Sequence, residues 1–170
     1  MKPIIRLTVL TLALGALCLP TRANDAAHTQ PTWKTLADIQ CAPPATVEAL
    51  AKDAAGHLYA AISTADEQGR MTAQIRRSTD GGTTWSFVDH LLASNLGSVQ
   101  IRSLGVDKVG QVYAAGYRAD DQGQYRWIVR KSNADGTNWS TVDEFALPGV
   151  QRTLAQALTV DADGRISVAG

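Results

Sequence analysis

The sequence predicts an all-β chain: β-propeller blades of four antiparallel strands, about two and a half to three blades in an incomplete ring. Three observations carry this reading. A block recurs at a spacing of 54 residues, short apolar runs alternate with period two, and the same turn residues punctuate each unit. Asp53-Ala-Ala-Gly56-His-Leu-Tyr59-Ala-Ala61 returns as Asp107-Lys-Val-Gly110-Gln-Val-Tyr113-Ala-Ala115 and as Asp161-Ala-Asp-Gly164-Arg-Ile-Ser-Val-Ala169. Between Val47 to Asp89 and Ile101 to Asp143, eighteen of forty-three positions are identical without a gap, too many for coincidence.

Taken in order, the first element is a leader. Lys2 and Arg6 precede an apolar run from Leu7 to Leu19, and Thr21-Arg22-Ala23 supplies small residues, so residues 1–23 are expected to be a signal peptide cleaved after about Ala23. The run is short for a membrane span, and Leu17 before Cys18 disfavours a lipoprotein. A secreted or periplasmic protein follows, with no membrane association beyond the signal segment. Residues 32–38 resemble the last strand of a unit and are expected to form a lone strand.

The first blade is expected over 47–90, with strands over 47–52, 58–63, 72–77 and 84–90. The second, over 101–145, places strands at 101–106, 112–118, 126–131 and 138–145. Residues 153–170 supply half of a third, with strands over 153–160 and 165–170. The domain from 24 to 170 is thus a partial β-propeller. A closed ring needs at least four blades, or more than about 200 residues of this repeat. The chain is therefore expected to be a truncated part of a longer protein, with self-association through open blade edges as the alternative.

Loss of the leader leaves 13 basic against 16 acidic residues, a net charge of −3, which gives no electrostatic footprint for nucleic acid. Cys41 would then be the only cysteine, a small hydrophobe rather than a nucleophile. His28, His57 and His90 lack metal-ligand spacing, no G-x-S-x-G occurs, and Gly81-Gly82 opens no helix for phosphate. Asp120-Asp121 lacks the alternating oxygen ligands of a calcium loop. No metal and no cofactor is expected.

Ser78-Thr-Asp80-Gly-Gly82-Thr-Thr-Trp85 fits S-x-D-x-G-x-x-W, and Ser132-Asn-Ala134-Asp135-Gly136-Thr-Asn-Trp139 is a degenerate second copy. The pattern resembles the Asp-box, or BNR repeat, of sialidase-like β-propellers. Physically it is a hairpin lock: glycine supplies a left-handed turn residue, short polar side chains bond the turn backbone, and tryptophan opens the next strand. The resemblance implies a structural role for these residues and puts any ligand site at the opposite end of the blades. There lie Asp66, Glu67, Arg70, Asp120, Asp121, Tyr125 and Arg126, with the loops near Arg102 and Arg152. They offer a surface for glycan or protein, or serve as solvated loops.

No residue is assigned a catalytic role. Sialidases use three arginines, a tyrosine activated by a glutamate, and an aspartate; no F/Y-R-I-P motif occurs, and Glu48, Glu67 and Glu144 have no supported assignment. The expected function is a non-catalytic binding or scaffold module of an exported Asp-box propeller, the alternative the N-terminal part of a sialidase-like exo-glycosidase inactive by itself.

Overall fold

Period-two alternation puts successive side chains on opposite faces of a strand, and the Asp and Gly positions between runs fix where the chain reverses. A computed structural model describes the backbone of residues 4–9 and 34–40 and all of residues 44–170; twelve strands and no helix occur among the described residues. The leader boundary at Ala23, together with Cys18 and Cys41, lies outside them. β1 (Ile4–Val9) pairs antiparallel with β2 (Lys34–Gln40), which overlaps the lone strand expected over 32–38.

Two four-stranded antiparallel sheets follow, each a meander in chain order. The first blade contains β3 (Ala45–Lys52), β4 (Leu58–Ala65), β5 (Met71–Ser78) and β6 (Ser86–Leu91). The second contains β7 (Val99–Val106), β8 (Val112–Ala119), β9 (Tyr125–Ser132) and β10 (Trp139–Phe145). β11 (Ala157–Val160) and β12 (Ile166–Ala169) form a separate pair. β11 is shorter than the strand expected from residue 153, because Thr153 donates its N–H to the Tyr125 carbonyl and Arg152 bridges to Tyr125 in parallel. The architecture is that of partial β-propeller blades in an open arrangement.

The repeat extends to its irregularities. In β3 the register slips between Val47 and Ala49, and in β7 between Ile101 and Ser103, leaving Glu48 and Arg102 as extra residues one repeat apart. The last strands slip as well, at Val88 and Val142. β7 packs against β3, β4 and β5, and β11 packs against β7, so the first strand of each unit lines the inner edge.

The core lies between blades. Ala61, Ala73 and Ile75 of the first meet Val99, Ile101, Ala114 and Ile128 of the second, with Val88 and Trp139 packed against them. Alanines on β4 and β8 let the sheets approach. Each fully buried isoleucine contributes about 1.5–3 kcal/mol.

The two boxes close the hairpins between third and fourth strands by different bonds. Asp80 accepts the Thr84 hydroxyl at 2.6 Å, the Thr84 N–H at 2.9 Å and the Ser78 hydroxyl at 2.8 Å, while the Trp85 indole donates to the Gly82 carbonyl at 2.9 Å. In the second box the indole bond recurs from Trp139 to Gly136 at 3.2 Å, and Asp135 accepts the Thr137 hydroxyl and N–H. The bond that Asp80 makes to Thr84 passes to Asn133, whose Oδ1 accepts the Thr137 and Asn138 N–H groups at 2.9 and 3.0 Å. Ser132 turns its hydroxyl to the Asn133 carbonyl and accepts the Val112 N–H.

These bonds, led by the Thr84 hydroxyl, lower the Asp80 pKa from 3.8 to about 2. A depressed folded-state pKa contributes stability above the unfolded value that is lost as pH falls through the folded one. Asp80→Asn is therefore expected to lower the thermal midpoint at neutral pH and to flatten its decline between about pH 4 and pH 2. An unchanged acid slope across that window would remove the carboxylate from this role.

Candidate ligand-facing site

The site begins with the bulges. A β-bulge re-aims the extra residue and bends its strand, and here the two extra residues meet across the blade interface: Arg102 Nη1 donates to Glu48 Oε2 at 3.0 Å. The second bulge is tight. A Cβ at Gly116, opposite it, would strike the Gln100 carbonyl and lie 2.8 Å from Ile101 Cα, whereas the first blade has Ile62 at this position.

Behind Arg102 stands Tyr117. The Arg102 Nη2 donates to the Tyr117 hydroxyl at 3.4 Å, and the guanidinium carbon lies 5.7 Å from the ring centroid. The Tyr117 hydroxyl in turn donates to Gln100 Oε1. Tyr125 meets Tyr117 edge-on at 5.6 Å, and the Arg152 guanidinium lies 4.7 Å above the Tyr125 ring. Burial works against the Arg102 charge, but Tyr117 and Glu48 together hold its pKa above the ordinary arginine value. Its Nε is buried and unpartnered among the described residues.

Two arginines and two phenols therefore converge at the end of the blades away from the boxes. Arg102 stands on β7 and Tyr125 opens β9. Nothing in the repeat singles out Gln100 or Tyr117, which align with Thr46 and Ser63. One signal for the site was present: at the same repeat position the chain carries Glu48, Arg102 and Gln156.

The other candidates on this face serve the turns. Asp66 Oδ1 accepts the Gln68 and Arg70 N–H groups while Oδ2 takes Arg70 Nε at 2.8 Å. Asp120 repeats this with Gln122, Gln124 and Arg126 Nε, also at 2.8 Å. Asp107 and Asp161 lock the opposite turns with the same pair of backbone bonds. Glu67 and Asp121 stand exposed at the loop tips.

A cleft of about 350 Å³ opens at the box end, lined by Asp53, His57, Arg77, Lys108 and Asp135 among others. His57 Nδ1 lies 2.8 Å from Asp53 Oδ2 and 3.1 Å from Arg77 Nη2. It cannot donate to one and accept from the other in a single tautomer; the shorter contact to a carboxylate favours an Nδ1 proton facing Asp53. The second blade carries a related set: Tyr113 reaches Asp107, Gln111 replaces His57, and Lys131 stands over the Tyr113 ring as Arg77 stands over Tyr59. Residues repeated in this way brace a turn, so the cleft is scaffold despite its volume.

Among the described residues no group of three or more potential metal ligands occurs, and no helix is long and apolar enough to cross a membrane. Chemically, the Arg102 cluster suits recognition of a polar or anionic group. Proton abstraction from Tyr117 would need a base at its hydroxyl; the contact there is a neutral amide, and the Glu48 carboxylate is engaged by Arg102.

No family profile and no curated protein matches the sequence. Among solved structures the chain is similar to the Hadza microbial sialidase Hz136, with a TM-score of 0.51 and 19% identity over 71% of this chain and 30% of the sialidase. The chain thus spans less than a third of that protein. At this identity the likeness concerns the fold, a sialidase-like β-propeller.

Proposed function

We propose that the chain is the binding or scaffold part of an exported Asp-box β-propeller, non-catalytic, with its ligand-facing end at Arg102, Tyr117, Tyr125 and Arg152. The observation that carries this is the Tyr117 hydroxyl, which donates to the Gln100 amide while Glu48 is held by Arg102. A phenol so placed positions a guanidinium and does not attack a sugar. Glycan or protein carrying an anionic group is the partner this chemistry favours, because Arg102 and Arg152 offer guanidinium donors against aromatic faces.

The second reading, part of a sialidase-like exo-glycosidase, is favoured by one specific feature: an arginine on β7, a glutamate on β3 and a tyrosine on β8 meet where the two blades pack. A fluorogenic sialoside and a panel of immobilised acidic and neutral glycans separate the two. The chain is expected to release no fluorophore above buffer, and to retain acidic glycans in a manner weakened about tenfold or more by Arg102→Ala. Turnover that disappears in Tyr117→Phe would establish the hydrolase reading instead.

A further inference from the structure

The contact between the first and second blades specifies what the next face should receive. Asp89 on β6 is clasped by Arg130 on β9 through Nε at 2.9 Å and Nη2 at 2.6 Å. Tyr59 on β4 receives the box of the second blade: a Cβ at Gly136 would lie 2.7 Å from its Cε1. Ile75 and Val88 are covered by the cluster that contains Ile128.

One repeat later the same positions are Asp143, Tyr113, Val129 and Val142, and they surround a cleft of about 220 Å³ with Ile166 and Val168 of β12. Val142 is 52% exposed, and Phe145, at the place of Leu91, is 45% exposed. Asp143 is exposed too. β12 pairs only with β11 among the described residues, so its other edge presents free backbone donors and acceptors.

We propose that this face and the free edge of β12 form a docking surface for a two-stranded β-hairpin of the same repeat. The hairpin carries an arginine at the position of Arg130 and a box glycine at that of Gly136. Strand addition along β12 supplies the backbone bonds, and side-chain pockets set the register. By the pairing of β8 with β9, the lysine equivalent to Lys131 falls opposite Ser167 and the arginine opposite Val168, which directs that arginine to Asp143. The glycine then sits on the Tyr113 ring. A second folded copy does not fit this geometry, because its own third strand is paired on both edges, as β5 is by β4 and β6.

A labelled peptide copying residues 125–145, titrated into the full chain, tests the assignment by anisotropy. Saturable binding is expected, weakened at least tenfold by Arg130→Ala in the peptide or by Asp143→Ala in the chain. Binding is expected to recover when an Arg130→Asp peptide meets an Asp143→Arg chain. Binding indifferent to these charges, or equal for a scrambled peptide, overturns the proposal. So does a chain dimer, measured by sedimentation, that is lost in Asp143→Arg, since it would give the face to a second copy.

A cis version gives an independent readout. Gly170 occupies the repeat position of Gly116, so a copy of residues 117–145 is appended after Gly170. The thermal midpoint is expected to rise by several degrees, and alanine at the copied Arg130 position is expected to abolish the rise. An unchanged midpoint counts against the surface.

Discussion

Gly136→Ala is expected to destabilise the chain by about 2–4 kcal/mol, and Gly81→Ala by about 1 kcal/mol. Both glycines hold left-handed backbone, with φ of 75° and 70°, so both substitutions incur the steric cost of an L residue in that region. They differ in what a Cβ would meet. At Gly81 nothing lies within 4 Å; at Gly136 the new carbon would fall 2.7 Å from Cε1 and 2.9 Å from Cζ of Tyr59. Tyr59 is fully buried and its hydroxyl is bonded to Asp53, so the ring cannot swing clear. Equilibrium urea unfolding of both variants checks the difference. In a Tyr59→Leu background, which removes the atoms that collide, the cost of Gly136→Ala is expected to fall to that of Gly81→Ala. Equal costs for the two glycines in the parent chain would mean that the second box does not seat on Tyr59.

That contact explains why the fold was legible and the site was not. The fold is written twice at one spacing, so Tyr59 and Tyr113, Gly82 and Gly136, or Trp85 and Trp139 identify one another without reference to the distances between them. Turn chemistry is local as well, although the second box shows its limit. Asp135 is the obvious substitute for Asp80, but Asn133 inherits the backbone bond to Asn138, because an amide oxygen two positions earlier reaches the same strand entry. The site depends on what repeats do not share. Tyr117 and Gln100 fall at the positions of Ser63 and Thr46, where the first blade has neither a ring nor an amide. The bulges that turn out Glu48 and Arg102 interrupt the very alternation from which strands are read. The ion pair they form joins residues 54 positions apart, a contact created only when two blades pack.

The second large effect lies at the same interface. Arg130→Ala is expected to cost about 2–4 kcal/mol, against less than about 1 kcal/mol for Arg118→Ala. Both arginines pair with a carboxylate, but the surroundings differ: the side chains of Arg130 and Asp89 are 15% and 9% exposed, those of Arg118 and Glu144 49% and 28%. Water therefore screens the second pair and offers each partner a replacement shell. Removing Arg130 instead leaves the Asp89 carboxylate nearly buried, deprived of two short bonds, and takes from Thr141 the Nη1 donor at 3.1 Å. Lysine is not a remedy, since a single ammonium cannot reproduce a two-pronged clasp; Arg130→Lys is expected to recover less than half of the loss. Because β6 and β9 belong to different blades, the missing energy is interblade energy, and urea unfolding should show the first departure from a single transition in this variant. If Arg130→Ala and Arg118→Ala unfold at the same midpoint, the clasp on Asp89 adds no interblade energy beyond that of a solvent-screened pair, and the ion-pair half of the docking geometry inferred for Asp143 loses its precedent.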